Sequence, residues 1–138
     1  MEEISEAFVE KEEEQKKEGT QMSARSRAIL CAQEAVHFKA LDLVMLDVTG
    51  LASFADYFIV CSGQSSRQVQ GIADNLERSL RDHGIKPLGV EGRREGQWIL
   101  MDYGAVIVHI FYEPVRYFYD LESLWSEAER VRFEVEKE

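Results

Sequence analysis

The chain has 138 residues, 45% of them hydrophobic, and a formal net charge of −10. That length suits one domain with its own core, because a chain of about 150 residues buries roughly 70% of its unfolded surface. The acidic balance disfavours binding led by phosphate contacts, which needs clusters of Lys and Arg, and favours a basic partner or simple solubility.

Residues 1–22, MEEISEAFVEKEEEQKKEGTQM, are rich in Glu and Lys. Only Ile4, Phe8 and Val9 offer apolar anchors, so an acidic, disordered tail is expected. A helix is predicted from Ser23 to Ala40, with Ile29, Ala32, Ala35, Val36 and Ala40 at helical spacing. Asp42 to Thr49 reads as a strand ended by Gly50, and Asp56 to Cys61 as a second strand ended by Ser62-Gly63. Ser65 then opens the clearest helix. Ser65 and Gln68 match a capping box, and Val69, Ile72, Ala73, Leu76 and Leu80 form one apolar stripe that closes at His83-Gly84.

Pro87 to Val90 predicts a short strand at a sheet edge, since Pro lacks a ladder donor. The loop EGRREG follows, with Arg93 and Arg94 read as solvated charge. Trp98 onward is a hairpin of two apolar strands turning at Tyr103-Gly104 or Gly104-Ala105. Either turn puts Ile99, Met101, Val106, Val108 and Ile110 on one face, and Trp98, Leu100, Asp102, Ala105, Ile107, His109 and Phe111 on the other. The first face suits a core; the mixed second face suits a surface that meets another protein. Pro114 reads as a turn and Tyr119 to Glu129 as the last helix, with Phe118, Leu121 and Trp125 packed inward and Tyr119 outward.

This order predicts an α/β (α+β) domain over residues 23–129, with one mixed five-stranded sheet flanked by helices and a charged C-terminal tail at 130–138. The Ser65 helix is expected to cross over between parallel neighbours. Two long helices cover one sheet face, and the short last helix leaves the Trp98 face partly open.

Signals for chemistry are weak. Cys31 and Cys61 lack CxxC spacing, and His37, His83 and His109 lack metal-ligand spacing, so no metal or other cofactor is expected. No apolar run reaches about 18 residues, so no membrane span is expected, and the acidic start makes a cytoplasmic protein the default. A Cys61–His109 pair is left open, although a buried, inert thiol is the commoner state in such a strand. His109 itself reads equally as a histidine packed on aromatics or as a hydrogen-bonding contact to a partner. Ser62-Gly63-Gln64-Ser65 follows a strand and opens a helix, as a phosphate-binding turn would. It supports an alternative reading, a nucleotide-binding enzyme of nucleotidyltransferase type. No Asp-x-Asp pair on a neighbouring strand accompanies it to hold metal ions.

The segments KALDLVMLDVTGLASFADYFIVCSGQSSRQVQGIADNL, PLGVEG, WILMDYGAVIVHIF and FYDLESLW resemble the Iojap-type ribosomal silencing factor family. The resemblance runs over roughly residues 24–126 and leaves both termini outside. It implies a nucleotidyltransferase-like fold without the catalytic acids, and hence no enzyme. It further implies a translational repressor that binds the large ribosomal subunit through protein L-fourteen and blocks association with the small subunit. A homodimer when free is implied, and no direct nucleic-acid site. Carried onto this chain, the partner-binding surface comprises Trp98, Asp102, Tyr103, His109, Tyr119, Glu122 and Trp125.

Overall fold

The computed structural model describes residues 22–135. The expected acidic tail therefore lies outside the described residues, except for Met22, which packs against the core. The elements in chain order are α1 (Ala24–His37), β1 (Leu41–Asp47), β2 (Tyr57–Gly63), α2 (Ser66–Asp82), β3 (Gly89–Glu91), β4 (Trp98–Asp102), β5 (Val106–Tyr112), α3 (Glu113–Tyr119), α4 (Leu121–Leu124) and β6 (Glu129–Arg130).

These strands form one mixed sheet in the order β3-β4-β5-β2-β1-β6. Strands β2 and β5 run parallel at its centre; the other pairs are antiparallel. Every residue of β2 is buried, as expected for a strand covered on both faces. The chain leaves β2 through α2 and returns by the β3-β4-β5 meander, which brings β5 back beside β2. Strand β3 is at the edge, in keeping with Pro87.

The larger core lies between the sheet and the two long helices. Helix α2 contributes the predicted stripe of Val69, Ile72, Ala73, Leu76 and Leu80. Its cap is as expected on one side: the Gln68 N–H donates to Ser65 Oγ at 3.0 Å. On the other side Gln68 Oε1 accepts from the Gln64 N–H at 2.6 Å, one residue upstream of the usual box. Helix α1 is shorter than predicted and buries Arg27, Ala28, Cys31, Ala32 and Ala35. Small side chains let this helix lie close to the sheet. Arg27 joins them because its guanidinium donates to the Tyr103 carbonyl at 3.1 Å. Ile29 and Val36, expected inward, are only half-buried.

The hairpin turns at Gly104-Ala105, with Tyr103 N–H donating to the Val106 carbonyl at 2.8 Å. Leu100 thus faces His109, and Trp98 faces Phe111. The two predicted face sets hold: Ile99, Met101, Val106, Val108 and Ile110 join the helix-covered core, while Ile107 and Phe111 join a second, smaller cluster.

Three expectations change toward the C-terminus. The last helix is two short ones. Glu113 and Pro114 start α3 directly after β5, with Pro in the first turn, where its missing N–H costs nothing. Asp120 (φ 45) breaks the helix in the left-handed region before α4. The break shifts the helical phase, so Phe118 is 82% exposed instead of packed inward. The sheet has six strands, because Arg130 and Glu129 pair with Leu46 and Asp47. The segment from Arg130 to Val135 is therefore docked where a charged tail was expected. The Val131 N–H donates to the Met45 carbonyl at 2.8 Å, and Val131 and Phe133 pack on the core.

The 92–97 loop is pinned to α2 through Arg93, while Arg94 stays exposed as expected. Arg93 pairs with Asp74 and Glu77 on α2, and Gln70 Nε2 donates to the Arg93 and Arg94 carbonyls. Gly92 (φ +80) is pressed against β4: a Cβ there would stand 2.0 Å from the Trp98 carbonyl oxygen. Gly50 shares the conformation (φ +82) but faces open space. Gly50→Ala should cost only the left-handed penalty, about 1–2 kcal/mol. Gly92→Ala should cost distinctly more, because backbone must also move. Urea unfolding of the two variants checks this ordering; equal losses would contradict the close approach at Trp98.

Candidate functional site

The second sheet face carries the site. By strand alternation it presents Trp98, Leu100 and Asp102 from β4, Ile107, His109 and Phe111 from β5, and Phe58 and Val60 from β2. Helices α3 and α4 cover part of it, with Val115, Leu121 and Trp125 packed inward. Neither long helix reaches this face, so rings remain at its surface.

These rings form a continuous row. Tyr119 rests on Trp98 at 5.0 Å between centroids, and Trp98 stacks on Phe111 at 4.8 Å and 27°. The row continues through His109 to Phe58, edge to face at 5.1 Å, then to Trp125 at 5.1 Å and 88°. Phe54 closes it against Trp125 at 6.4 Å. Offset and edge-to-face contacts of this kind add about 0.5–1.5 kcal/mol per pair beyond area burial. The rim is exposed: Phe118 and Tyr117 face solvent, and Tyr119 is 50% exposed. Gly92, Glu95, Gln97, Trp98, Pro114 and Val115, with Phe118 and Tyr119, line an open cleft of about 460 Å³ beside it.

A hydrogen bond fixes the middle of the row. The Trp98 Nε1–H donates to His109 Nδ1 at 3.1 Å. His109 is 5% exposed, and burial lowers its pKa from 6.5 to about 4. The ring is therefore neutral at pH 7. With Nδ1 accepting, its proton belongs on Nε2, which is buried without a partner.

Four of the seven expected contact residues, Trp98, His109, Tyr119 and Trp125, meet in this row. Asp102 shares the face, half-buried, and its Oδ1 accepts the Gly104 N–H at 2.8 Å, which braces the turn. Glu122 is spoken for within the chain: its Oε1 accepts from Arg116 Nε at 2.9 Å. Tyr103 does not belong to the site. With the turn at Gly104-Ala105 it continues the Ile99–Met101 side of β4, and it is 0% exposed beneath the helices. Burial raises the pKa of its phenol, far from any role in proton exchange. Phe58, Phe54 and Phe118 were not singled out. Phe58 sits in an all-apolar strand with no alternation to show its face. Phe118 was placed in the core by a helical period that Asp120 interrupts.

The candidate chemistry looks different in three dimensions. Cys61 and His109 point to opposite faces: Cys61 belongs to the helix-covered core, and His109 pairs in register with its neighbour Val60. Burial also pushes the Cys61 thiol up to about 12, so no reactive pair forms. At the Ser62–Ser65 turn, the Gln64 N–H is taken by Gln68 and the Gln68 N–H by Ser65. A Cβ on Gly63 would meet Val69 at 2.9 Å, so the turn is filled by its own chain. Among the described residues, no three His, Cys, Asp or Glu side chains gather as a metal site would require, and no helix is long and apolar enough to cross a membrane.

Fold and face together define a small α/β protein with an aromatic surface on one layer of its sheet. Residues 20–138 match the model of the family described as "Ribosomal silencing factor during starvation", and the chain belongs to that family. The Bacillus subtilis ribosomal silencing factor RsfS is 37% identical over 107 residues, 78% of this chain and 91% of that protein. A crystal structure of a Chromobacterium violaceum protein superposes with a TM-score of 0.74 at 33% identity, covering 83% of this chain and 95% of that one. A mouse protein named "Mitochondrial assembly of ribosomal large subunit protein 1" is 27% identical over 90 residues, 63% of this chain and 40% of its own length. Family membership gives the chain a ribosome-associated role in regulating translation.

The buried imidazole has a measurable consequence. An unfolded chain takes up a proton on His109 near pH 6.5, whereas the folded chain resists it down to about pH 4. Stability is therefore complete above the unfolded pKa and falls as pH drops through that window. Between pH 7.5 and 5 the loss from this group should be about 2 kcal/mol. His109→Asn, whose Oδ1 can still accept from Trp98, should lack that component. Urea unfolding of both proteins at the two pH values tests it; an equal pH dependence would place His109 outside the fold's buried layer.

Proposed function

We propose that this chain represses translation by docking on the large ribosomal subunit, through protein L-fourteen, and occupying the volume into which the small subunit must move. The carrying observation is the aromatic row whose rim, Phe118 and Tyr119, projects from the sheet face that the long helices leave uncovered. Exposed aromatic anchors over a packed floor are the side chains that dominate interface energies. The mouse relative's name refers to the large subunit, which supports that subunit as the target. The charge of −10 suits a basic ribosomal protein, speeding encounter and setting orientation more than adding affinity. The proposed contacts are Trp98, Asp102, Phe118, Tyr119 and Trp125. His109 acts beneath them as an internal acceptor, and Tyr103 is withdrawn. The reading needs no bond making, only a rigid body in the right place.

The nucleotidyltransferase reading is less well supported, since two amides at that turn, those of Gln64 and Gln68, are already bonded to Gln68 and Ser65, and no Asp-x-Asp pair stands on a neighbouring strand.

Purified subunits mixed with saturating protein should form fewer joined ribosomes on a sucrose gradient. Unchanged joining would refute the block. Phe118→Ala and Tyr119→Ala should each weaken large-subunit binding about tenfold, as loss of an aromatic anchor does. Phe118→Ala should leave stability within about 0.5 kcal/mol, as befits an exposed position. Trp98→Ala is the poorer probe, because it also removes the ring on which Phe111 and His109 pack.

A further inference from the structure

Helix α3 has seven residues, buries none of them and presents Tyr117, Phe118 and Tyr119 outward. So short a helix does not hold its own conformation in water. Val115 packs on the second cluster and Tyr119 rests on Trp98, and one polar side chain ties the helix down from two directions. Arg116 is 11% exposed; its Nη1 donates to Ser62 Oγ at 2.8 Å, and its Nε donates to Glu122 Oε1 at 2.9 Å. Ser62 is buried on β2, and Glu122 lies in α4, beyond the left-handed Asp120. The Arg116 carbonyl also accepts the Asp120 N–H at 2.8 Å. Arg130 of β6 stands 3.9 Å from the other oxygen of Glu122. One guanidinium thus joins the central strand and both short helices, and Glu122 extends the link to the last strand.

We propose that Arg116 is the positioning residue of the docking surface. Its two-way grip sets the pose of α3, and so places Tyr119 over Trp98 and Phe118 at the rim, without touching the partner itself. The inference rests on the docking reading for its consequence at the ribosome; the placement of Tyr119 stands on the geometry alone. Arg suits the task because its planar fork donates in two fixed directions at once. A lysine keeps the charge but offers one nitrogen, so it cannot hold Ser62 and Glu122 in the same way. A largely buried ion pair also punishes loss of one partner, since half-buried Glu122 would keep only the more distant Arg130 at 3.9 Å.

The test uses the full chain and the variants Arg116→Met, Arg116→Lys and Ser62→Ala. Amide hydrogen exchange over residues 113–120 should quicken about tenfold or more in Arg116→Met while the α2 amides keep their rates, the mark of local opening. Arg116→Lys and Ser62→Ala should fall between it and the wild type, which keeps the test decisive if Arg116→Met does not fold. Binding to purified large subunits should weaken in the same order. In a background carrying both Phe118→Ala and Tyr119→Ala, Arg116→Lys should weaken binding little further, because its effect passes through the two rings it places. Wild-type exchange at 113–120 in the folded variants would overturn the proposal, as would a full further loss from Arg116→Lys in the background lacking both rings. Failure of the wild-type chain to sediment with large subunits would remove the docking reading alone; the exchange rates would still decide whether Arg116 places Tyr119.

Discussion

The hydrogen bond from the Trp98 indole to the His109 imidazole is the constraint on which the aromatic face depends. An indole N–H set among packed rings must find an acceptor, or it costs about 1–3 kcal/mol. His109 supplies one by remaining neutral, and gives up a partner for its own Nε2–H to do so. The exchange fixes the rotamer of Trp98, which then stacks on Phe111 and carries Tyr119. Ring ordering is thus completed during folding. A face ordered in advance loses less side-chain entropy when it meets a partner.

That bond exists only because of register. Leu100 faces His109 and Trp98 faces Phe111, so Trp98 is the diagonal neighbour of His109 on the same face. A slip of one residue between the strands would turn Trp98 and His109 to opposite faces of the sheet. The Gly104-Ala105 turn, braced by Asp102, holds the register. This part was legible in the sequence because both strands carry unlike residues on alternate positions and meet at a glycine. So were the Ser65 cap and the stripe of α2. Tyr103 shows the sensitivity of such arguments. Placed at the turn tip it could reach a partner; moved by one residue into the strand, it follows Ile99 and Met101 inward.

Other features left no local trace. Strand β2 is buried throughout and apolar on both faces from Phe58 to Cys61, so nothing marks Phe58 as belonging to the aromatic row or β5 as its parallel neighbour. Phe118, Leu121 and Trp125 keep helical spacing, yet Asp120 breaks the helix between the first and second of them. A left-handed aspartate is not distinguishable from a helical one by type alone. Strand β6 is two charged residues long and is defined only by its partners Leu46 and Asp47. Arg93 looked like solvated charge until folding brought Asp74 and Glu77 of α2 to it. In each case the deciding contact is distant in sequence.

The groups able to do chemistry are consistently turned to structural work. The Cys61 thiol is buried, and its pKa is pushed up to about 12. The Gln64 and Gln68 amides at the head of α2 bond to Gln68 and Ser65, and Ser62 binds Arg116. What the molecule offers outward is shape: a row of rings seated on a six-stranded sheet, with its rim on two helices of seven and four residues. For the space-filling role proposed above, such a division is physically apt. Reactivity would add nothing to a steric block, whereas any softness in the rim would be charged against affinity as ordering entropy. Rigidity is then the property under demand, and in a short helical segment it has to come from tertiary contacts, here ring packing and a largely buried ion pair, since helix propensity over so few residues cannot provide it.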